Sequence, residues 1–369
     1  FIMNSLGFNK KCKNTKVVVA MSGGVDSSVV AVMLKEEGYD VTGITMNLYS
    51  QTESKSSKSC CAGKDIEDAR KVANQFNFPH LILDYQENFF NGVIENFIES
   101  YSEGETPVPC IKCNQTVKFR DLLGEAKRMN ADTLVTGHYV RRLGDSRNAK
   151  LFKAKDELKD QSYFLFATLK EQLDYVRFPL GNYLKSEIRE MAKKYDLAVR
   201  DKPDSQDICF VTSKSYREFI EKINPDLNIT GNFVDIKGKV LGFHKGIANY
   251  TIGQRKGLGI GGSNFPLYVV NIDKKNNKVV LGDQSQLKKT TVTLEKINWL
   301  DDSISKKNLK CTAKIRSTQK ENSGILKINS NKAKFIFDKE INNTSPGQAC
   351  VFYLKDQVLG GGWITQSFN

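Results

Sequence analysis

The sequence predicts a parallel α/β sheet with helices on both faces, followed by a small β-rich domain and a C-terminal β-barrel. Three observations carry this reading. Strand-like and helix-like periodicities alternate from residue 16 to about 140. A strand runs directly into a glycine turn and a helix at 16–37. From Gly231 onward, short β-like runs at close spacing replace the helical patterns.

The elements follow in order. Lys16 to Val19 is a β-branched run suited to a buried parallel strand. Ser28 to Glu37 carries Val29, Val30, Val32, Met33 and Leu34 and reads as a helix. Val41–Met46 is a second strand, and Ser50 to Ser59 is a Ser/Lys-rich mobile loop. Asp65 to Phe76 is an amphipathic helix, Leu81–Asp84 a third strand, and Phe89 to Tyr101 another helix. Gly104 to Asn114 reads as a loop stiffened by Pro107 and Pro109. A helix over Gln115 to Met129 leads into a fourth strand, Thr133 to His138. Leu143 to Leu158 is irregular, a helix begins at Asp160, and Ile188 to Tyr195 is helical and basic. Pro203 to Phe210 is a polar turn. The β-rich part has runs near 233–235, 240–242, 267–270 and 278–281, with a glycine-rich basic loop at Gly253–Gly259. Strands then recur at 311–316, 324–328, 333–337, 349–354 and 360–364. The expected domains are a flexible extension over 1–15, a sheet domain over 16–212, a β-rich domain over 213–284 and a barrel over 285–369.

Composition narrows the class. Fifty-five Lys and Arg against 42 Asp and Glu give a net charge of +13, which suits a polyanionic partner such as nucleic acid. The start of the chain is polar and lysine-rich, and no run is long or apolar enough to cross a membrane. A cytoplasmic location with reduced thiols is therefore expected, and no membrane partner.

The chemistry gathers at a few stretches. Ala20-Met21-Ser22-Gly23-Gly24-Val25-Asp26-Ser27 joins the first strand to the first helix. That geometry aims backbone N–H groups and a helix N-terminus at an anion. The Gly-Lys-Ser/Thr of the common NTPase loop is absent. Ligands of such sheets bind beyond the carboxyl ends of the strands, where Ser22, Met46 and Gly137 should meet. Cys113 and Cys209 each sit in a polar stretch. Cys113 directly precedes a predicted helix, whose dipole would favour its thiolate. Buried inert thiols are the plain alternative. His138 follows a strand end, and Lys159-Asp160-Gln161 either serves the site or only caps a helix.

The motifs S-G-G-V-D-S (22–27), T-P-x-P-x-x-x-C-N (106–114), T-G-H-Y (136–139), K-D-Q-S-Y-F-L (159–165), I-C-F (208–210), G-Q-R-K-G-L-G-I-G-G (253–262), P-G-Q (346–348) and G-G-G (360–362) occur in this order. From Lys16 to the end, this set resembles the bacterial tRNA-specific 2-thiouridylases of the ATP-pyrophosphatase (PP-loop) superfamily.

The resemblance implies a Rossmann-like fold of the adenine-nucleotide alpha-hydrolase type. It also implies ATP-dependent 2-thiolation of the wobble uridine, through an adenylate and a cysteine persulfide. Ala20 to Ser27, Met46 and Gly137 would hold ATP with Mg²⁺. Cys209 would carry the persulfide, and Cys113 would free the sulfur through a Cys113–Cys209 disulfide. Val108, Pro109, Cys110, His138, Lys159, Asp160, Gln161, Arg316, Ser317 and Gln348 would face tRNA. A cysteine desulfurase or sulfur-relay protein would donate the sulfur. Two positions depart from the pattern: Ser317 replaces a tyrosine, and Cys110 replaces an aspartate. With Cys110, three thiols could instead hold a [4Fe–4S] cluster, while the two-cysteine route needs no metal. Rival readings are a different PP-loop ligase, such as an argininosuccinate- or GMP-synthase-like enzyme, and a tRNA-binding module without ATP chemistry.

Overall fold

The computed structural model describes residues 3–49, 61–145, 147–204, 208–211, 215–261, 265–301, 303, 308–330 and 332–369. By contact the chain forms two units. One comprises residues up to Val93 with Cys110–Phe210 and Asp356–Val358, the other Ile94–Pro109, Val211–Lys355 and Leu359–Asn369.

The first unit is built on a parallel sheet. Its strands are β1 (Lys16–Ala20), β2 (Asp40–Asn47), β3 (His80–Asp84), β4 (Thr133–Val135) and β7 (Val176–Arg177), in the spatial order β3-β2-β1-β4-β7. Val17, Val18 and Val19 are wholly buried, as a central strand covered on both faces requires. The helices α1 (Val25–Glu36) and α2 (Cys61–Gln75) belong to the covering layers. Register sets the working edge: Ala20 lies opposite Ile44, and Val19 opposite Val135. The segments that begin at Met21, Met46 and Thr136 therefore leave the sheet at the same carboxyl edge.

Several expectations change. α1 starts at Val25, three residues before the expected start at Ser28, because Gly24 is extended (φ −91°, ψ 172°) and caps it. Residues 143–158, read as irregular, contain most of a hairpin, β5 (Val140–Leu143) and β6 (Lys150–Lys153). The expected helix at Asp160 is one 3₁₀ turn, Ser162–Leu165, and the fourth strand ends at Val135. The 104–114 loop ends in a helical turn at Pro109–Cys113, which runs into a π-helical stretch, Asn114–Leu122. Residues 3–15, expected as a flexible extension, are packed: Leu6 is in the core and its carbonyl accepts from Arg177 Nε at 2.8 Å. The expected mobile loop at 50–59 lies outside the described residues.

The second unit holds two β assemblies. Strands β8 (Gly231–Asp235), β9 (Val240–His244), β10 (Tyr268–Asp273) and β11 (Lys278–Gly282) form a sheet in the order β10-β11-β8-β9, over a core of Phe233, Tyr250, Val269 and Val279. Strands β12 (Lys289–Trp299), β13 (Leu309–Lys314), β14 (Asn322–Asn329), β15 (Lys332–Ile341), β16 (Ala349–Leu354) and β17 (Gln357–Phe368) run β12-β15-β14-β13-β16-β17 and close through β12–β17 pairing. The closed barrel leaves no edge strand. β12 has no counterpart in the sequence reading, since its Lys/Thr/Glu-rich alternation has a weak apolar signal. The helix Tyr216–Ile223 was also unforeseen; there Phe219 packs edge-on to Phe97, and Tyr216 stacks on Tyr101 at 4.5 Å.

Candidate active site

The glycine loop folds tightly onto α2. Gly23 has φ +71°, and a Cβ there would lie 2.2 Å from the Asp65 carbonyl oxygen, so no other residue fits without moving backbone. Ser27 Oγ accepts from the Ser22 N–H at 3.1 Å and contacts Ser22 Oγ at 3.2 Å. The first helical bond of α1 is Ser28 N–H to Gly24 O. The N–H groups of Val25, Asp26 and Ser27 precede it, at the positive end of the helix dipole. Gly137 stands against them: a Cβ there would meet Ser27 N at 3.0 Å. Met46 is half-buried at the carboxyl end of β2, beside Leu83 in register.

Beneath and beside the loop are cations that the sequence reading did not single out. Lys202 Nζ donates to Gly23 O (2.8 Å), Asp65 (2.6 Å) and Asp68 (2.8 Å). Burial opposes its charge, but the two carboxylates win and hold the ammonium above its usual range. Lys185 Nζ bridges both Asp26 oxygens (2.7 Å) and Asp204 Oδ1 (2.8 Å). Tyr139 OH donates to Asp26 at 2.8 Å. Burial first, then the Asp26 charge, pushes the Tyr139 phenol far up, so it stays a donor. Asp204 also binds Lys159 and Arg189, each at 2.7 Å. Burial works against its carboxylate, yet hydrogen bonds from Lys159 and Lys185 prevail and hold it well below the usual range. Lys185 lies three residues before the helix expected from Ile188 to Tyr195 and has no sequence signal for such a role.

The three thiols share one neighbourhood. Cys113 is buried, while Cys110 and Cys209 each reach solvent, and all three are free. Each thiol is electrostatically coupled to at least one of the others and to Lys118. Cys209 is pushed up to about 12, by burial first and then by Cys113 and Cys110, with Lys118 pulling the other way. Burial likewise raises Cys110 and Cys113. The expected helix-dipole lowering of Cys113 therefore fails: the residue ends one helical turn and enters another, and burial dominates. Lys118, five residues on, lies one π-turn beyond Cys113 and makes no ion pair with a carboxylate among the described residues. His138 accepts from or donates to Thr136 Oγ1 at 2.7 Å, and burial, aided by Lys118, lowers it well below its usual value, so it is neutral at pH 7. Among the described residues no group of three His, Cys, Asp or Glu stands close enough to hold a metal ion, so the geometry does not support the cluster alternative.

The remaining candidates divide. Asp160 is used internally, accepting from Ala154 N–H, Ser162 N–H and Ser162 Oγ. Gln161 Oε1 accepts from Tyr139 N–H. In the second unit, two distant motifs meet. Thr106 N–H donates to Pro346 O (2.8 Å), and Gln348 Nε2 donates to Thr106 O (2.9 Å), so Gln348 lies against the segment that carries Val108 and Pro109. Arg316 reaches Asn343 O and Ser345 Oγ on the same turn, and Ser317 is half-buried beside it.

Comparison with known proteins follows this geometry. A family model described as a tRNA methyl transferase HUP domain matches residues 15–213. A PRC-barrel domain of the same family matches 217–283, and an aminomethyltransferase β-barrel domain matches 289–364. The tRNA-specific 2-thiouridylase MnmA of Paracoccus denitrificans is 51% identical, over 98% of this chain and 95% of that protein. That of Rickettsia peacockii is 51% identical, over 97% of this chain and 98% of that protein. A solved 4-thiouridine synthetase–RNA complex with bound ATP is 17% identical, covering 58% of this chain and 51% of that one, with a TM-score of 0.35. Identity near one half along almost the whole length settles the family: the chain belongs to the tRNA-specific 2-thiouridylases.

Proposed function

We propose that this enzyme activates a tRNA uridine with ATP and replaces its C2 oxygen by sulfur carried on Cys209. One observation supports this most. The Cys209 segment is tied at Asp204 through Lys185 to Asp26 of the glycine loop, while Cys209 shares its surroundings with Cys113. Phosphate chemistry and thiol chemistry thus converge in one unit.

The triphosphate would lie along the N–H groups of Gly23 to Ser27, where Gly23 and Gly137 leave room. Magnesium would come with the phosphates, since such sites need only one or two carboxylates and Asp26 lies on the loop; its chemistry is to neutralise charge on the departing pyrophosphate. The uridine O2 attacks the α-phosphorus, and the bond to pyrophosphate breaks. The terminal sulfur of the Cys209 persulfide then attacks C2, and AMP leaves with the former O2. The Cys113 thiolate attacks Cys209 Sγ, the S–S bond to the new base sulfur breaks, and 2-thiouridine departs. Cys113 and Cys209 are left as a disulfide, which a dithiol reductant returns to two thiols. Lys118 favours the thiolate of each thiol. Val108, Pro109, Cys110, His138, Lys159, Arg316, Ser317 and Gln348 are proposed to face the tRNA. Asp160 and Gln161, bound to their neighbours, would shape that surface. The sulfur donor would be a desulfurase or relay protein, and the setting the cytoplasm; among the described residues no helix is long and apolar enough to cross a membrane.

Incubating transcribed tRNA with ATP and a persulfide source tests this. Retardation in a mercury-containing gel, with AMP and pyrophosphate as products, is the expected result. Cys113→Ala and Cys209→Ala should abolish thiolation, and Cys110→Ala should retain measurable activity. ADP as the main product would remove the PP-loop chemistry, and ATP cleavage without thiolation would favour another ligase of the superfamily.

A further inference from the structure

The edge of the four-stranded sheet carries a feature that the sulfur chemistry does not use. In the β8–β9 hairpin, Phe243 is 75% exposed, with Ile236 at 58% and Val240 at 51%. Lys237, Lys239 and Lys245 lie close to these residues along the chain and are exposed. None of the three ammonium groups has an ion-pair partner among the described residues. The neighbouring acid, Asp235, is engaged by the turn itself, its Oδ1 accepting from the N–H groups of Lys237 and Lys239, each at 2.9 Å. Gly238 N–H donates to Asp235 O at 3.0 Å, closing the turn in a single shape.

The glycine-rich basic loop covers the opposite, core-side face of this sheet, with Leu258 in its core and Ile260 packed against it. Gly253 N–H donates to Val269 O and Val269 N–H to Gln254 O, which anchors the loop at the start of β10. Ile260 lies on Gly242 of β9, where a Cβ would come within 2.6 Å of its Cδ1. Arg255 and Lys256 are exposed and likewise without ion-pair partners among the described residues. Three unneutralised lysines thus stand on the hairpin that carries the bare Phe243 ring, while Arg255 and Lys256 follow Gln254 at the β10 edge of the sheet. Lysines on an edge strand protect it from pairing. An exposed phenylalanine there does the opposite, so its presence calls for another reason.

We infer that the β8–β9 hairpin forms an RNA-binding face, on which Phe243 stacks against an unpaired base while Lys237, Lys239 and Lys245 hold the flanking phosphates. The inference rests on the tRNA reading above and deepens it. Uncompensated positive charge selects a polyanion, and an exposed ring on a lysine-rich hairpin suits single-stranded RNA, whose splayed bases each present a π face.

The test is filter binding of transcribed tRNA to the full chain across a salt series. Phe243→Ala should weaken binding on the order of tenfold, with the salt slope unchanged, because a stacking contact is lost and no phosphate contact. Phe243→Trp should bind at least as tightly as the native chain. The triple variant Lys237→Gln, Lys239→Gln, Lys245→Gln should lower the log–log salt slope by about two. Since all four side chains are exposed, the melting temperatures should match the native one. Native binding and thiolation, with Phe243→Ala indistinguishable from native, would overturn this inference alone. A native chain that binds no tRNA overturns both it and the function proposed above. A Phe243→Ala variant that keeps tRNA affinity but changes the sedimenting mass would make the face a protein interface and likewise overturn it.

Discussion

The thiols are set for control rather than for constant reactivity. Although Cys209 reaches solvent, the protein packed around its sulfur keeps the thiol protonated through the neutral range, with a value pushed up to about 12. A raised value means that the thiolate fraction still climbs tenfold per pH unit where an ordinary cysteine has already levelled off near its usual value of about 8.5. The alkylation rate of Cys209 by iodoacetamide, followed on its peptide by mass spectrometry, should therefore rise without plateau to at least about pH 10. The unfolded chain should plateau normally. Lys118→Met should lower the native rate at pH 8 by severalfold, since it removes the cation that favours all three thiolates. A plateau near pH 8.5 in the native chain would show that burial does not govern this thiol. Cys113 and Cys209 stood out from their polar neighbours in the sequence. Lys118 did not, because a lysine in a helical stretch has no local mark of what it faces.

At the scale of elements, the site depends on where helices begin and how they wind. α1 begins inside the S-G-G-V-D-S loop, which turns Val25, Asp26 and Ser27 into a first helical turn whose N–H groups precede the first helical bond. Apolar periodicity places a helix well but its start poorly, because the first turn is chosen by capping backbone and not by burial. Gly23 is the tightest point. Gly23→Ala combines positive φ with a backbone clash at Asp65 and should cost about 1–3 kcal/mol. It should appear as a lower denaturant midpoint at unchanged slope, together with loss of ATP–pyrophosphate exchange. An unaltered midpoint would mean that the loop relaxes freely. The π-helical winding at Asn114–Leu122 acts similarly, carrying Lys118 round toward the turn that bears Cys113.

For the whole molecule, chain order and structural units disagree. Ile94–Pro109 belongs to the second unit although it lies inside the stretch that the sequence reads as the sheet domain. Phe97 and Tyr101 are buried, and their ring partners Phe219 and Tyr216 come from a helix more than 100 residues later. A fragment of residues 3–211 should therefore expose this apolar surface, bind a hydrophobic dye and melt below the intact chain. If the fragment melts like the intact chain, the segment is dispensable to the fold. The net charge of +13 acts at the same scale, making association with a polyanion steep in salt.

Alternating periods, a glycine turn after a β-branched strand and closely spaced late strands are local properties, and they determined the fold class without a partner in view. The ordered motifs determined the family, because each reports its own backbone need or reactive group within a few residues. Tertiary structure decided what those motifs touch. Thr106 meets Gln348, Lys185 joins Asp26 to Asp204, and Cys113 shares its surroundings with Cys209, across separations of 178 residues or fewer in the sheet unit and 242 in the other. Hydrogen bonds and charge act over a few ångströms of space and are blind to distance along the chain. The raised thiols belong to the same class of fact: a cysteine's side chain is identical everywhere, and only the fold determines how much water it keeps.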